Sequence, residues 1–361
     1  MSDHHCRRTT WRARPPSTTL PSTPPSGTPI TTSPCATAVD TGGHRVTLDD
    51  GTTLQYDKLV LATGSAVRRL PLEGADADNV HYLRTVEDSD AIRATFGEGK
   101  RLVIIGGGWI GLEVAATART AGTAVTVLEH GRLPLQKVLG DKVAQVLANL
   151  HTSNGVDLRT EAQIDEIVTS GGTATGVRLK NGETIPADAI VIGSGVTPVT
   201  DLAEAAGITV DNGVLVDASL RSSDPDVYAV GDIANHDHPI LGYRVRVEHW
   251  ATALNQPAAA ASALLGEDVE YTELPYFFTD QYDLGCEYIG HATGADTRVY
   301  IRGDLGSREF VAFWVDDHDR IQAAMNVNVW DVIDEIKPLI VKQKSVDVER
   351  LVDPSVPYEE L

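Results

Sequence analysis

The chain has 361 residues, of which 42% are hydrophobic and 32 are glycine, and a formal net charge of −21. That length allows two or three domains with large cores, and the composition fits a soluble α/β protein rather than bulk disorder. The acid excess argues against nucleic acid as a partner, and no apolar run or signal-peptide core points to a membrane, so a cytoplasmic protein is expected.

Residues 1–38 are rich in Thr, Pro, Ser and Arg, with almost no aliphatic periodicity. Such a stretch cannot bury enough apolar surface to offset its chain entropy, and disorder is predicted there. Alternation begins at His44 to Leu48, passes the hairpin signal Asp50-Gly51 and resumes from Thr53 to Tyr56. Leu59 to Ala62 is a continuous apolar run ending in Thr63-Gly64, as a buried parallel strand would be.

From Arg101 the pattern is strand, helix, strand: Leu102 to Ile105, Ile110 to Ala121, then Val125 to Glu129. A helix over Lys142–Asn149 and a strand over Val156–Leu158 follow. The Gly-Gly and Asn-Gly turns after Ile164 predict a three-stranded meander, leading into a last parallel strand, Ala189–Ile192. "VLVDASLRSSDPDVYAVGD" supplies two more strands, and Ala251 to Leu265 an alanine-rich helix. Five strand-like runs follow from "YFFTDQY" to "RIQAAMNV". A closing helix carries Val329, Val332, Ile333, Ile336 and Ile340 on one face.

Gly106, Gly108 and Gly111 fit G-x-G-x-x-G between a strand and a helix. The first glycine permits the turn, the second admits a pyrophosphate, and the third lets helix pack on strand. The helix from Trp109 aims its first amides at the phosphates. Glu129 ends the next strand, where a carboxylate accepts the ribose hydroxyls of NAD and repels the 2′-phosphate of NADP; His130 and Arg132 nearby soften that preference. "VYAVGD" ends in Asp232, a carboxylate suited to polyol hydroxyls or to a helix cap. Cys6, Cys35 and Cys286 form no C-x-x-C pair, which leaves neither a disulfide framework nor a zinc site.

In order, "YDKLVLATGS", "LRTVEDS", "VIIGGGWIGLEVAA", "DVYAVGD", "VRVEHWATALNQ" and "LPYFFTDQY" resemble the FAD-dependent pyridine nucleotide reductases, specifically the ferredoxin reductases that serve oxygenases. The resemblance runs from about Ala38 onward. It implies an α/β fold with two Rossmann-like nucleotide domains, the NAD(P) domain (99–215) nested in an FAD domain (39–98 and 216–266), and a C-terminal α+β reductase domain (267–361). It also implies roles. Thr63 and Gly64 lie by the FAD, Arg84 contacts it, Asp232 binds its ribityl chain, and Glu248 and Trp250 lie near the isoalloxazine. Glu113 faces the nicotinamide pocket, and Trp109, Ile110 and Gly195 join the glycines as NAD contacts.

The implied reaction passes a hydride from NADH to flavin and single electrons onward to a ferredoxin or similar iron–sulfur carrier, with no catalytic side-chain nucleophile. A disulfide reductase or NADH oxidase of the same superfamily is the alternative. Arg302, Arg308, Lys337, Lys342 and Lys344 are candidates for docking an acidic ferredoxin. One departure stands out: no glycine fingerprint precedes Leu102, and residues 1–38 stand where family members carry their first βαβ unit. An N-terminally truncated or frame-shifted chain is therefore expected, and one that binds NAD but not FAD is a further alternative.

Overall fold

The structure is a computed structural model that describes residues 34–293 and 297–361. Cys6 and residues 1–33 of the segment expected to be disordered lie outside the described residues.

The apolar runs of the middle third form a five-stranded parallel sheet. Its order is Val80–His81, Ala189–Ile192, Arg101–Ile105, Ala124–Leu128 and Asp157–Arg159. Side chains alternate across a strand, so Arg101–Ile105 feeds two cores. Leu102 and Ile104 pack with Val114, Ala115 and Ala118 of the helix Trp109–Thr120. Val103 and Ile105 pack with Ile167, Val177 and Ile185 of the antiparallel meander Ile164–Ser170, Thr173–Leu179 and Thr184–Pro186. Cover on both faces explains why the central strand reads as an unbroken hydrophobic run.

A second parallel pair joins Leu59–Leu61 to Val227–Ala229. Among the described residues this sheet has those two strands only. The helix Trp250–Leu264 lies against them, its Ala260 and Ala263 allowing close approach to a core of Leu61, Val214, Val227 and Ala229. The run from Leu59 is not fully buried as expected: Leu61 is 5% exposed, while Val60, on the opposite face of the strand, is 39% exposed.

The last third is a five-stranded antiparallel sheet in the order Tyr276–Gln281, Leu284–Gly290, Ile321–Val327, Glu309–Val315 and Arg298–Asp304. Phe310, Ala312 and Trp314 face the helix Gln136–Ser153, while Val311, Phe313 and Val315 face the helix Ile333–Lys342. The helix Gln136–Ser153 thus ties the nucleotide sheet to the terminal one. It is twice as long as its sequence pattern promised, because Gly140 (φ 73°) interrupts it without ending it.

Three other differences have local causes. Ala36–Asp40, partly inside the stretch expected to be disordered, is a strand paired with Arg45–Leu48, and Val39 anchors it in the interior. Ala234–His238 and Tyr243–Val245 form an unforeseen antiparallel pair. Val329 and Val332 precede the closing helix rather than belong to it. The architecture is otherwise the α/β fold with two nucleotide units and a C-terminal antiparallel sheet that the sequence leads one to expect. Among the described residues no helix is long and apolar enough to cross a membrane.

Candidate functional site

The glycine turn sits at the C-terminal edge of the central parallel sheet. Gly106 has φ 109°, and a Cβ there would meet the Gly193 carbonyl at 2.4 Å. A Cβ on Gly111 would meet the Gly106 carbonyl at 2.1 Å. Both glycines are demanded by packing. Gly108 is different: a Cβ there would point into open space, so packing does not demand a glycine at this position. Gly108 is also the N-cap of the helix Trp109–Thr120 and supplies no side-chain cap, which leaves the first-turn amides for an anion. This fits a dinucleotide pyrophosphate.

Glu129 lies just past the second strand. Its Oε2 accepts from the Gly107 N–H at 2.7 Å and its Oε1 from the Gly131 N–H at 2.6 Å. Each carboxylate oxygen retains acceptor capacity, so the group can brace the turn and still receive ribose hydroxyls. The Arg132 guanidinium, expected to soften the NAD preference, is held by Asp141 at 2.5 Å. Gly195, with φ 86°, lies on the loop after Ala189–Ile192, where its carbonyl accepts from the Arg68 N–H. Ile110 is half exposed beside the turn.

The flavin-side residues converge from four segments. Asp232, in the short 3₁₀ turn Gly231–Ile233, is paired with Arg84 at 3.1 Å. Arg84 stands directly before the helix Val86–Arg93, where Thr85 and Asp88 form a reciprocal cap and Asp88 also accepts from the Arg84 N–H. A Cβ on Gly64 would lie 3.1 Å from the same guanidinium. Thr63 donates to the Val199 carbonyl. Glu248 is bound at 2.6 Å by Arg246, which also donates to the Asp232 carbonyl. Arg246 was missed in the sequence, although "VRVEHW" contains it. Trp250 is 67% exposed at the start of the helix Trp250–Leu264, whose N-cap, His249, makes no side-chain cap bond. An acidic group for polyol hydroxyls beside an uncapped helix N-terminus fits the ribityl and ring portion of FAD. The sequence contains no second glycine turn for its pyrophosphate.

One strand joins the two seats. Phe277, on Tyr276–Gln281, has its ring 4.9 Å from that of Trp109 and 4.9 Å from that of His249. It therefore touches the first helical residue of the NAD unit and the N-cap of the flavin-side helix together. Two residues on, Thr279 donates to Glu113 Oε1. Burial pushes the Glu113 carboxyl above its ordinary range, with the Thr279 hydrogen bond opposing and the Asp280 charge adding. Phe277 and Thr279 lie in a stretch quoted for its resemblance, yet no pattern in it singles them out.

The expected basic docking set does not hold together. Arg302 is buried, its guanidinium 4.3 Å from the Tyr358 ring centroid and donating to the Val356 carbonyl. Arg308 is paired with Asp283 and Lys337 with Glu273; Lys342 and Lys344 stay exposed. Of the cysteines, Cys35 is exposed and Cys286 is buried, and both are free thiols. Among the described residues no His, Cys, Asp and Glu group could hold a metal ion.

Residues 27–257 match the family model described as pyridine nucleotide-disulphide oxidoreductase, and residues 276–361 match that described as reductase C-terminal. The chain is 42% identical over 314 residues to the anthranilate 1,2-dioxygenase system ferredoxin--NAD(+) reductase component of Burkholderia cepacia, covering 86% of this chain and 76% of that protein. It is 39% identical over 322 residues to putidaredoxin reductase CamA of Pseudomonas putida, covering 88% and 76% respectively. The crystal structure of the covalent putidaredoxin reductase–putidaredoxin complex is similar with a TM-score of 0.86 at 37% identity, over 90% of this chain and 79% of that one.

Proposed function

The chain belongs to the pyridine nucleotide-disulphide oxidoreductase family, and from that premise we propose that it is an NADH-dependent flavoprotein reductase serving a ferredoxin-type iron–sulfur carrier in the cytoplasm. Residues 99–215 hold NADH, residues 39–98 with 216–266 hold the flavin, and residues 267–361 supply the strand that joins them. The observation that carries this is Phe277, in contact with the N-terminal ends of both cofactor-side helices.

When bound, FAD supplies two-electron uptake from nicotinamide and one-electron release to a carrier. The chain's own residues bind and orient. Gly108 and the amides after it receive the NADH pyrophosphate, and Glu129 accepts its adenosine ribose hydroxyls. Asp232 accepts from the ribityl chain, with Arg84 holding the carboxylate in place. Glu248 and Trp250 border the ring, and Glu113 borders the nicotinamide. Phe277 packs between the helix ends, where its ring would help to exclude water from the junction of the two cofactor sites. No side chain acts as a nucleophile.

The test is a coupled assay on the flavin-loaded chain. NADH is expected to reduce cytochrome c only when a ferredoxin is added, and to leave a disulfide substrate untouched. Disulfide reduction without cytochrome c reduction would assign the other chemistry. One observation favours a second reading, an NAD-binding chain that does not retain FAD: the flavin-side parallel sheet has two strands among the described residues. Flavin absorbance that does not co-purify with the protein after FAD is added supports that alternative.

A further inference from the structure

Behind Glu113 runs a line of polar side chains that the proposed reaction does not use. The Thr279 hydroxyl donates to Glu113 Oε1 at 2.5 Å, and Thr279 Oγ1 accepts from Gln281 Nε2 at 3.2 Å. Gln281 Oε1 meets His151 Nε2 at 2.8 Å. Thr279, Gln281 and His151 are at most 2% exposed. In a buried polar chain of this kind an unpaired donor is costly, so the direction of the chain follows from where each donor finds an acceptor.

The direction of the chain follows from its inner end. His151 Nδ1 is buried and has no hydrogen-bond partner among the described residues. If Nδ1 carried the proton, a donor would be stranded in the interior; if Nε2 carries it, only a lone pair is left there, the cheaper defect. Burial also disfavours the charged imidazole, with the Gln281 hydrogen bond opposing. With the proton on Nε2, His151 donates to the Gln281 carbonyl oxygen and the Gln281 amide donates to Thr279. The hydroxyl proton of Thr279 then has one acceptor, Glu113. The opposite polarity would need Glu113 protonated as the donor and would put the His151 proton on its unpartnered nitrogen. The orphaned atom thus selects the arrangement in which every donor points toward Glu113, whose carboxyl oxygen is the final acceptor.

We propose that Thr279, Gln281 and His151 are positioning residues for NADH: a one-way hydrogen-bond chain from the C-terminal sheet that holds the Glu113 carboxyl group oriented toward the nicotinamide end. Thr279 engages one oxygen, which leaves acceptor capacity at the other for a donor on the nucleotide. This rests on the role proposed above for Glu113. It also gives the C-terminal sheet a part in nucleotide selection, since Thr279 and Gln281 belong to the strand Tyr276–Gln281 while Glu113 lies in the helix Trp109–Thr120.

The experiment compares NADH with ADP-ribose, which lacks the nicotinamide, by anaerobic fluorescence titration and competition on the full FAD-loaded chain with its flavin already reduced, so that NADH binds without turnover. Thr279→Val is expected to weaken NADH about tenfold, the scale of one buried hydrogen bond, and to leave ADP-ribose unchanged. Thr279→Ser should restore NADH affinity. Thr279→Val combined with Glu113→Gln should weaken NADH no more than Glu113→Gln alone. ADP-ribose binding also reports on folding: equal loss of both nucleotides in Thr279→Val would make its role structural and overturn the proposal. If Glu113→Gln weakens NADH while Thr279→Val does not, the chain is overturned and Glu113 keeps its role. If Glu113→Gln leaves NADH binding intact, both fall together.

Discussion

Individual atoms separate the two jobs that glycine performs in one turn. Gly111→Ala would drive a methyl into the Gly106 carbonyl, where no flexible side chain can yield. It is expected to cost at least about 2 kcal/mol of stability as overpacking, together with nucleotide affinity. Gly108→Ala meets nothing. Thermal unfolding should register at most about 1 kcal/mol for it, the scale of an N-cap change, while NADH affinity falls by tenfold or more because the methyl occupies the phosphate's approach. Equal effects from both substitutions, measured by melting and by titration, would contradict this division. The fingerprint was legible in sequence because backbone demands leave few substitutes for glycine. Arg246 and Thr279 were not, since an ordinary charge and an ordinary hydroxyl gain meaning only from what they touch.

Strands and helices were legible where periodicity was strong and one core dictated it. The central strand Arg101–Ile105 and the sheet from Tyr276 onward follow their patterns closely. The strand Ala234–His238 was hidden, because "ANHDH" reads as polar; its His236 and His238 are nonetheless 2% exposed. His238 earns its place by hydrogen bonds to the Glu273 carbonyl and from the Ile240 and Leu241 amides. Basic residues misled in the opposite way, as Arg302 is spent on latching the C-terminal tail. The strand Tyr276–Gln281 carries most functional weight for its size. Phe277→Ala would remove ring contacts with Trp109, His249 and Tyr288. The expected loss is about 3 kcal/mol in urea unfolding, with NADH binding changed less than the rate at which bound flavin is reduced. A variant with normal reduction rate would remove the strand from its joining role.

Across the chain, one charge effect adds up. Burial holds His81, His151, His236, His238, His249 and His291 below the ordinary imidazole range, His236 and His249 at about 4. Between the unfolded value of about 6.5 and those folded values, the unfolded chain binds more protons, so stability rises with pH. It is fully present above about pH 6.5 and is lost as pH falls toward 4. Glu113, raised by burial, acts in the opposite sense and offsets part of the loss. The urea midpoint should therefore drop between about pH 7.5 and about pH 5, at unchanged slope; a midpoint that holds or rises would contradict the burial of these imidazoles.

The central claim is that two nucleotide seats face each other across Phe277, and anaerobic stopped-flow mixing of the FAD-loaded chain with NADH tests it most directly. Rapid loss of the oxidised-flavin absorbance at a rate that saturates with NADH is the predicted result. Flavin that stays oxidised while titration shows NADH and FAD bound to the same chain would contradict it.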